Sequence, residues 1–348
     1  MSLKNLVYKL IKYWIKTNLH LYFGKIKING LHNVPLHQPV LFLPNHQNAL
    51  LDPLLIAVDC KRKPYFLTRS DVFKSSILNQ LFSVVRMIPI YRIRDGRATL
   101  KQNEAIFNRC AKLLNESEAL LMFPEANHNL ERRVRPLSKG FTRILFRALK
   151  DNPKLEIQLV PVGLNYLSAT KFKNAVSIYF GKPIALQDLL VANDERITID
   201  KIKEEVSLSL QNLTTHIPEG DYSKIISKLN ATNVDYLNPI ETNKSIQNKE
   251  YLKEKSILKS RTNYLKRIVY PFFILLNSPV ILIWRLLLKP KVWEPEFTDT
   301  LRFALCLVMY PIYYLLLLIV FIYFLGWGVG AIVVIGIFIF NWIYVKMS

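Results

Sequence analysis

The chain has 348 residues, enough for one large domain with an appendage. Its formal net charge is +21, yet 51% of its residues are hydrophobic. Strong basicity calls for an anionic partner, and the apolar content favours a phospholipid surface over nucleic acid; no RNA-binding aromatic string, zinc spacing or glycine-rich phosphate loop argues otherwise.

Residues 3–23 place Leu6, Leu10, Tyr13 or Trp14 and Thr17 along one helical face and Lys9, Lys12 and Lys16 on another. This is a basic amphipathic helix suited to a membrane interface, assigned here to residues 1–24. Its lysines interrupt any secretory core, so no cleavable leader is expected. The next stretch, residues 25–190, alternates short apolar runs with helical patterns. Strands are expected at 25–30, 39–43, 64–68, 84–92, 119–123, 155–162 and 175–180, and helices at 71–83, 98–115 and 140–150, with another after the turn at 45–52. Such alternation predicts an α/β domain with a largely parallel, mixed sheet flanked by helices. Residues 191–268 are polar and helical without a strong core pattern, and read as an extension and linker.

The last segment, 269–348, changes character. Residues 269–288 are apolar but carry Pro271, Asn277, Ser278, Pro279 and Arg285, as an interfacial or re-entrant segment would. Phe303 to Leu325 is uncharged and long enough to cross a bilayer at ~20 residues per crossing. A turn at 326–330 and a second run to Val345 make a transmembrane helical hairpin over 303–345. Lys289, Lys291 and Arg302 before it and Lys346 after it are expected to put both ends in the cytoplasm, and with them the domain at 25–190. The cysteines Cys60, Cys110 and Cys306 are far apart and form no disulfide framework.

Candidate chemistry gathers at strand ends, where sites of parallel sheets lie. The run LFLPNHQNALLD (41–52) delivers Asn45 and His46 to a turn, with Asn48 as the expected N-cap and Asp52 in the first turn of the next helix. A histidine with a carboxylate a few residues on can make an alcohol nucleophilic: the imidazole takes the hydroxyl proton, and the carboxylate fixes the tautomer and stabilises the imidazolium. The same residues also fit plain caps of a strand and a helix. Two further strand ends carry Arg92 and the run Glu125 to His128.

These residues resemble the glycerolipid acyltransferases of the PlsC type over roughly residues 25–185. Asn45-His46 with Asp52 is similar to that family's histidine–aspartate block, but with five intervening residues where the family has four. An extra residue in the turn would leave the pair intact; inside the helix it would rotate Asp52 away by ~100°, leaving Asn48 as the fallback partner. Met87 to Arg92 resembles the strand that ends in a phosphate-gripping arginine, Arg92. Phe123-Pro124-Glu125-Ala126-Asn127-His128 resembles the Phe-Pro-Glu-Gly-Thr block, with Ala126 for glycine and His128 where an arginine often stands. Arg132, Arg133, Arg135 and Lys139 follow as alternative phosphate ligands. Leu159 to Gly163 is similar to the apolar strand lining the acyl groove, here Pro161 and Val162.

The resemblance implies transfer of a fatty acyl group from acyl-CoA or acyl carrier protein to a hydroxyl of glycerol-3-phosphate or a lysophospholipid such as 1-acylglycerol-3-phosphate. No cofactor and no metal are implied. His46 and Asp52 would be catalytic, and Asn45, Arg92, Glu125, Asn127, His128 and the basic cluster would bind substrate, with backbone donors near the His46 turn for the oxyanion. Three other readings stay open: a hydrolase of the same geometry, a non-catalytic membrane lipid-binding protein with degenerate motifs, and a nucleic-acid binder.

Overall fold

The computed structural model describes residues 3–73, 79, 82–91, 102–249 and 262–347. Arg92 lies outside them, as do Arg94, Arg97 and most of the helix expected over 71–83.

The apolar runs that become the central strands, Val40–Pro44, Ala119–Leu121 and most of Gln158–Tyr166, are buried on both faces. In β2 (Val40–Pro44), Leu41 and Leu43 join one core cluster and Val40 and Phe42 the other, as the period-two alternation of a strand dictates. With β1 (Lys25–Asn29), β3 (Tyr65–Arg69), β4 (Met87–Ile90), β5 (Ala119–Leu121), β6 (Gln158–Tyr166), β7 (Ala175–Phe180) and β8 (Ile184–Ala185), it forms a sheet of order β1-β7-β6-β2-β5-β3-β4, β8 pairing β6. The β6–β7 and β6–β8 pairs are antiparallel and the other five pairs parallel. The expected mixed, largely parallel α/β sheet is therefore present.

One face is covered by α3 (Gln102–Asn115), α4 (Gly140–Asp151) and α5 (Glu195–Leu213). The other carries α1 (Leu3–Tyr22) and α2 (Leu51–Asp59). Residues after 190 thus do supply core: Ile202, Val206 and Leu210, spaced four apart on one stripe of α5, are fully buried. Other apolar residues of this helix, Ile197 and Leu208, stand off that stripe and are exposed, which blurs the periodic pattern in the sequence. Two short helices follow, α6 (Tyr222–Ala231) and α7 (Pro239–Gln247).

β6 departs from the expected 155–162 by running on to Tyr166. Glycine and asparagine are poor strand formers, but Gly163–Tyr166 is held by antiparallel pairing to β7. At Gly163 the C-terminus of α5 comes so close that a Cβ would lie 2.1 Å from the Leu213 carbonyl oxygen.

The C-terminal segment contains α8 (Thr262–Leu276), a short α9 (Ser278–Leu282), α10 (Thr298–Leu325) and α11 (Trp327–Lys346). The stretches 267–276 and 278–291 meet at 84° beside Asn277, so this part is no straight span. α10 and α11 are each long and apolar enough to cross a membrane. The turn between them is shorter than expected: Gly326 alone breaks the helix, in the left-handed region at φ 76°, and 327–330 already belong to α11. Gly330 lets the two helices close, since a Cβ there would meet the backbone of Phe321 and Ile322 within 2.8 Å.

Candidate active site

Three parallel strands deliver the site. β2 ends at Pro44, β5 leads into Phe123 to Glu125, and β6 runs past the end of β2. Asn45 splices the first to the third: its Oδ1 accepts from the Leu164 amide at 2.7 Å and its Nδ2 donates to the Leu164 carbonyl at 3.1 Å. Asn45 is buried, and both its polar side-chain atoms hold strand geometry, while the residue also borders the polar chamber beside His46.

His46 and Asp52 come together. His46 Nδ1 lies 2.8 Å from Asp52 Oδ2. The fifth intervening residue is absorbed in the turn: Ala49 adopts φ 27° and α2 starts only at Leu51. The expected cap is inverted. Asn48 does not cap α2; instead the Asp52 carboxylate reaches back to accept from the amides of Gln47 and Asn48, both at 2.8 Å. Those amides are consequently not donors for an oxyanion. Asn48 sends its side chain to the Ala169 carbonyl and to Thr300, not to His46.

Sequence reasoning missed Tyr166. Its hydroxyl donates to Asp52 Oδ1 at 2.5 Å, and both side chains are fully buried. Burial and the adjacent Asp52 charge push the tyrosine hydroxyl well above its usual range, keeping it a donor. The four bonds fix the carboxylate. With Nδ1 so engaged, Nε2 is the imidazole nitrogen left to face a substrate. The His46 ring is stacked on Phe123 at 3.7 Å. Burial lowers the imidazole below its usual 6.5, the Asp52 bond and charge opposing, and His128 and Arg135 adding to the depression. A neutral imidazole is the form a general base requires.

Glu125 sits beside this array. Its Oε2 accepts from Arg135 Nε at 2.9 Å, while Oε1 is buried with no hydrogen-bond partner among the described residues. Burial raises its carboxyl to about 7, with Arg135 opposing. Glu125, His46 and Thr215 line a small polar chamber of about 10 Å³, and the predicted site residues Asn45, Arg132 and Arg133 stand on its wall with them; it has room for about one water.

The rest of the predicted basic cluster divides. Arg135 reaches the site through Glu125 and also donates to the Asn127 carbonyl. Arg132 turns to the Leu167 carbonyl and lies 3.6 Å over the Tyr236 ring. Arg133 pairs with Glu131 and Glu219. Lys139 and Asn127 are exposed. Pro161 and Val162 are buried residues of the sheet, paired with Leu43 and Pro44.

His128 lies edge-on to His46, ring centres 5.3 Å apart. It is held from outside the α/β domain: Nε2 meets Glu294 Oε2 at 2.7 Å, and the ring packs on Phe297. Just beyond, Thr300 accepts from the Leu51 amide and donates to the Asn48 carbonyl. The start of α10 is therefore fastened to the turn that carries His46. Glu294 and Thr300 were also missed, and no local motif marks them.

A protein-family model described as Acyltransferase matches residues 25–165, the stretch that contains β1 through β6 and the whole His46–Asp52–Tyr166 array except its last member. Residues 25–165 are an acyltransferase-family domain. This stretch has curated relatives in Saccharomyces cerevisiae. Glycerol-3-phosphate O-acyltransferase 1 is 26% identical over 126 residues, 35% of this chain and 16% of the relative. Glycerol-3-phosphate O-acyltransferase 2 is 24% identical over 108 residues, 30% of this chain and 14% of the relative. The chain thus spans less than a fifth of the length of either relative. Among solved structures, the 1-acyl-sn-glycerophosphate acyltransferase PlsC of Thermotoga maritima aligns with 62% of this chain and 83% of its own, at 17% identity and a TM-score of 0.44. The matched stretch stops one residue short of Tyr166, and the buttress at Glu294 and Thr300 comes from the C-terminal segment.

Proposed function

We propose that this protein is a membrane-bound O-acyltransferase that moves a fatty acyl group from a thioester, acyl-CoA or acyl carrier protein, to a hydroxyl of glycerol-3-phosphate or a lysophospholipid such as 1-acylglycerol-3-phosphate. The observation that carries it is the buried array Tyr166–Asp52–His46, with Nε2 left to the substrate, inside an acyltransferase-family domain.

His46 Nε2 takes the proton of the acceptor hydroxyl as its oxygen attacks the thioester carbonyl carbon. Asp52 stabilises the imidazolium that forms. Collapse of the tetrahedral adduct breaks the carbon–sulfur bond, and the imidazolium returns the proton to the leaving thiolate. No residue of the protein is acylated and no metal or cofactor takes part. Arg135, bonded to Glu125, and His128, held by Glu294, would meet an acceptor phosphate. A guanidinium suits phosphate oxygens through paired donors. The two long apolar helices hold the domain at the bilayer, with the site on the cytoplasmic side.

The test is thiol release from a long-chain acyl-CoA or acyl carrier protein by the purified protein, with glycerol-3-phosphate, its 1-acyl derivative or no acceptor, and His46→Ala beside each. Release that needs an acceptor and disappears in the variant supports the reading and names the acceptor. Release without acceptor makes the protein a thioesterase, and no release with either donor refutes catalysis.

A further inference from the structure

Behind the catalytic array, between α1, α8, α10 and α11, lies an apolar cavity of about 290 Å³. Phe172, Phe273, Phe303, Leu307, Phe338 and Trp342 make up much of its wall. A cavity of ~150 Å³ lined by aliphatic and aromatic groups holds a benzene ring, so this one has room for roughly a dozen carbons. The polar groups at its base are satisfied among themselves. Asn277 and Asn341 exchange two amide hydrogen bonds, at 2.8 and 3.1 Å, and Tyr310 donates to Asn277 at 3.0 Å. What the cavity offers a guest is therefore apolar.

Two lysines stand beside one end of it, just outside the wall residues themselves. Lys173 follows the wall residue Phe172 in the chain, and its ammonium lies 3.8 Å over the Tyr344 ring, which stacks on Phe273 at 4.0 Å. Lys346 follows the wall residue Val345 and donates to the carbonyls of His20 and Phe23. Lys346 ends α11 one turn beyond Trp342, the kind of residue that marks the headgroup level of a bilayer, and Lys173 packs on Tyr344 of that last turn. Basic side chains at that level attract anionic lipid headgroups.

We infer that this cavity binds one anionic glycerophospholipid of the bilayer, an acyl chain lying among the aromatic rings and its phosphate meeting Lys173 and Lys346. The site is distinct from the one at His46: Phe23 separates it from Tyr166, their ring centres 6.3 Å apart. It is coupled to that site all the same. Tyr22 lines the cavity and donates to Asp299 at 2.5 Å, and the next residue, Thr300, is bonded to the catalytic turn. A chain packed against Tyr22 and Phe303 braces that connection from the membrane side.

The full-length protein, reconstituted in vesicles, tests the inference with photoreactive lipids carrying a diazirine midway along one acyl chain. One set bears a phosphatidylglycerol headgroup, a second phosphatidylcholine, and a third is free fatty acid. Cross-links are mapped by mass spectrometry. The expected result is labelling of Phe273, Cys306 and Tyr310 by the phosphatidylglycerol probe in excess of the other two. Cys306→Trp and, separately, Thr17→Trp fill the cavity from opposite walls and should each abolish that labelling. Labelling of the exposed outer face at Leu316 and Ile319 should persist and reports that each variant is inserted and folded. Labels confined to the outer face, equal labelling by the three headgroups, or cavity labelling that survives both fillings would overturn it. The readout needs no turnover, so it stands apart from the acyl-transfer reading.

Discussion

Tyr166→Phe isolates one bond of the catalytic array. Asp52 Oδ2 accepts three hydrogen bonds, from His46 and from the amides of Gln47 and Asn48, but Oδ1 accepts from Tyr166 alone among the described residues. Both side chains are fully buried, so water does not replace the lost hydroxyl. A hydrogen bond to a charged group contributes ~1.5–3 kcal/mol, and a buried acceptor left unpaired costs a similar amount. The variant should therefore lose about 2 kcal/mol of stability. The three bonds on Oδ2 survive, so His46 keeps its partner and the carboxylate only gains freedom to rotate. The expected loss in kcat is about tenfold, equivalent to ~1.4 kcal/mol of transition-state stabilisation. KM for the acceptor should not move, because Tyr166 touches no substrate. Thermal melting in detergent and steady-state thiol release read the two effects. Unchanged melting together with unchanged kcat would refute the argument that Oδ1 depends on this hydroxyl.

Thr300→Val removes the hydroxyl that joins α10 to Asn48 and Leu51, and should lower stability by ~1–2 kcal/mol, seen on melting, and lower kcat without changing acceptor affinity. Gly163→Ala forces a Cβ to within 2.1 Å of the Leu213 oxygen and 2.6 Å of its carbon. Both are backbone atoms, so the junction of β6 and α5 must open at a cost of ~3 kcal/mol or more, visible as loss of monodisperse protein on gel filtration. Because burial lowers the His46 imidazole below 6.5, kcat/KM should stay on its plateau down past pH 6.5 and fall only below it; an acid limb above that value would contradict a desolvated base. Glu125, raised from 4.5 to about 7, keeps its proton in the folded state over a range where the unfolded chain has lost it. Its stabilising contribution is full below pH 4.5 and is lost as pH rises through about 7, ~3 kcal/mol in all. Glu125→Gln should flatten that part of a stability profile taken by denaturation from pH 4 to 8.

The strand-end logic was legible because it rests on local patterns. The runs at 39–43, 119–123 and 155–162 are apolar enough to be read as buried strands, and parallel pairing then carries His46 and Glu125 to one edge of the sheet. The spacing of His46 and Asp52 was readable only as a choice between two places for an extra residue; the φ of 27° at Ala49 decides it. Tyr166 was hidden by its neighbours, since Gly163 and Asn165 end a strand on propensity while pairing with β7 continues it. How the basic cluster is engaged was hidden for a related reason. Charge counts do not show that Arg132 has Tyr236 beneath it or that Arg133 has Glu219 beside it, because those partners lie in the polar region that looked like linker. Contacts between residues 46–51 and 294–300 leave no periodic trace at all.

Those long-range contacts bear on how the reaction proposed here meets its lipid. A thioester donor arrives from water, whereas an acyl acceptor with a tail arrives in the bilayer plane, so the site must sit at a defined height above the membrane. In this chain that height is set by covalent and hydrogen-bonded continuity. Glu294 and Phe297 hold His128, Asp299 holds Tyr22, Thr300 holds the turn of Asn48 and Leu51, and Arg302 reaches the Thr170 carbonyl. All five residues fall in nine consecutive positions, 294–302, at the head of an apolar helix that runs to Leu325. A displacement of that helix relative to the sheet would break the support of His128 and of the catalytic turn together. An acyltransferase-family domain severed from its membrane segment would keep its sheet and its His46–Asp52 bond, yet lose the partner of His128 and the brace behind α2. On this geometry the membrane segment belongs to the catalytic architecture as well as to the anchor.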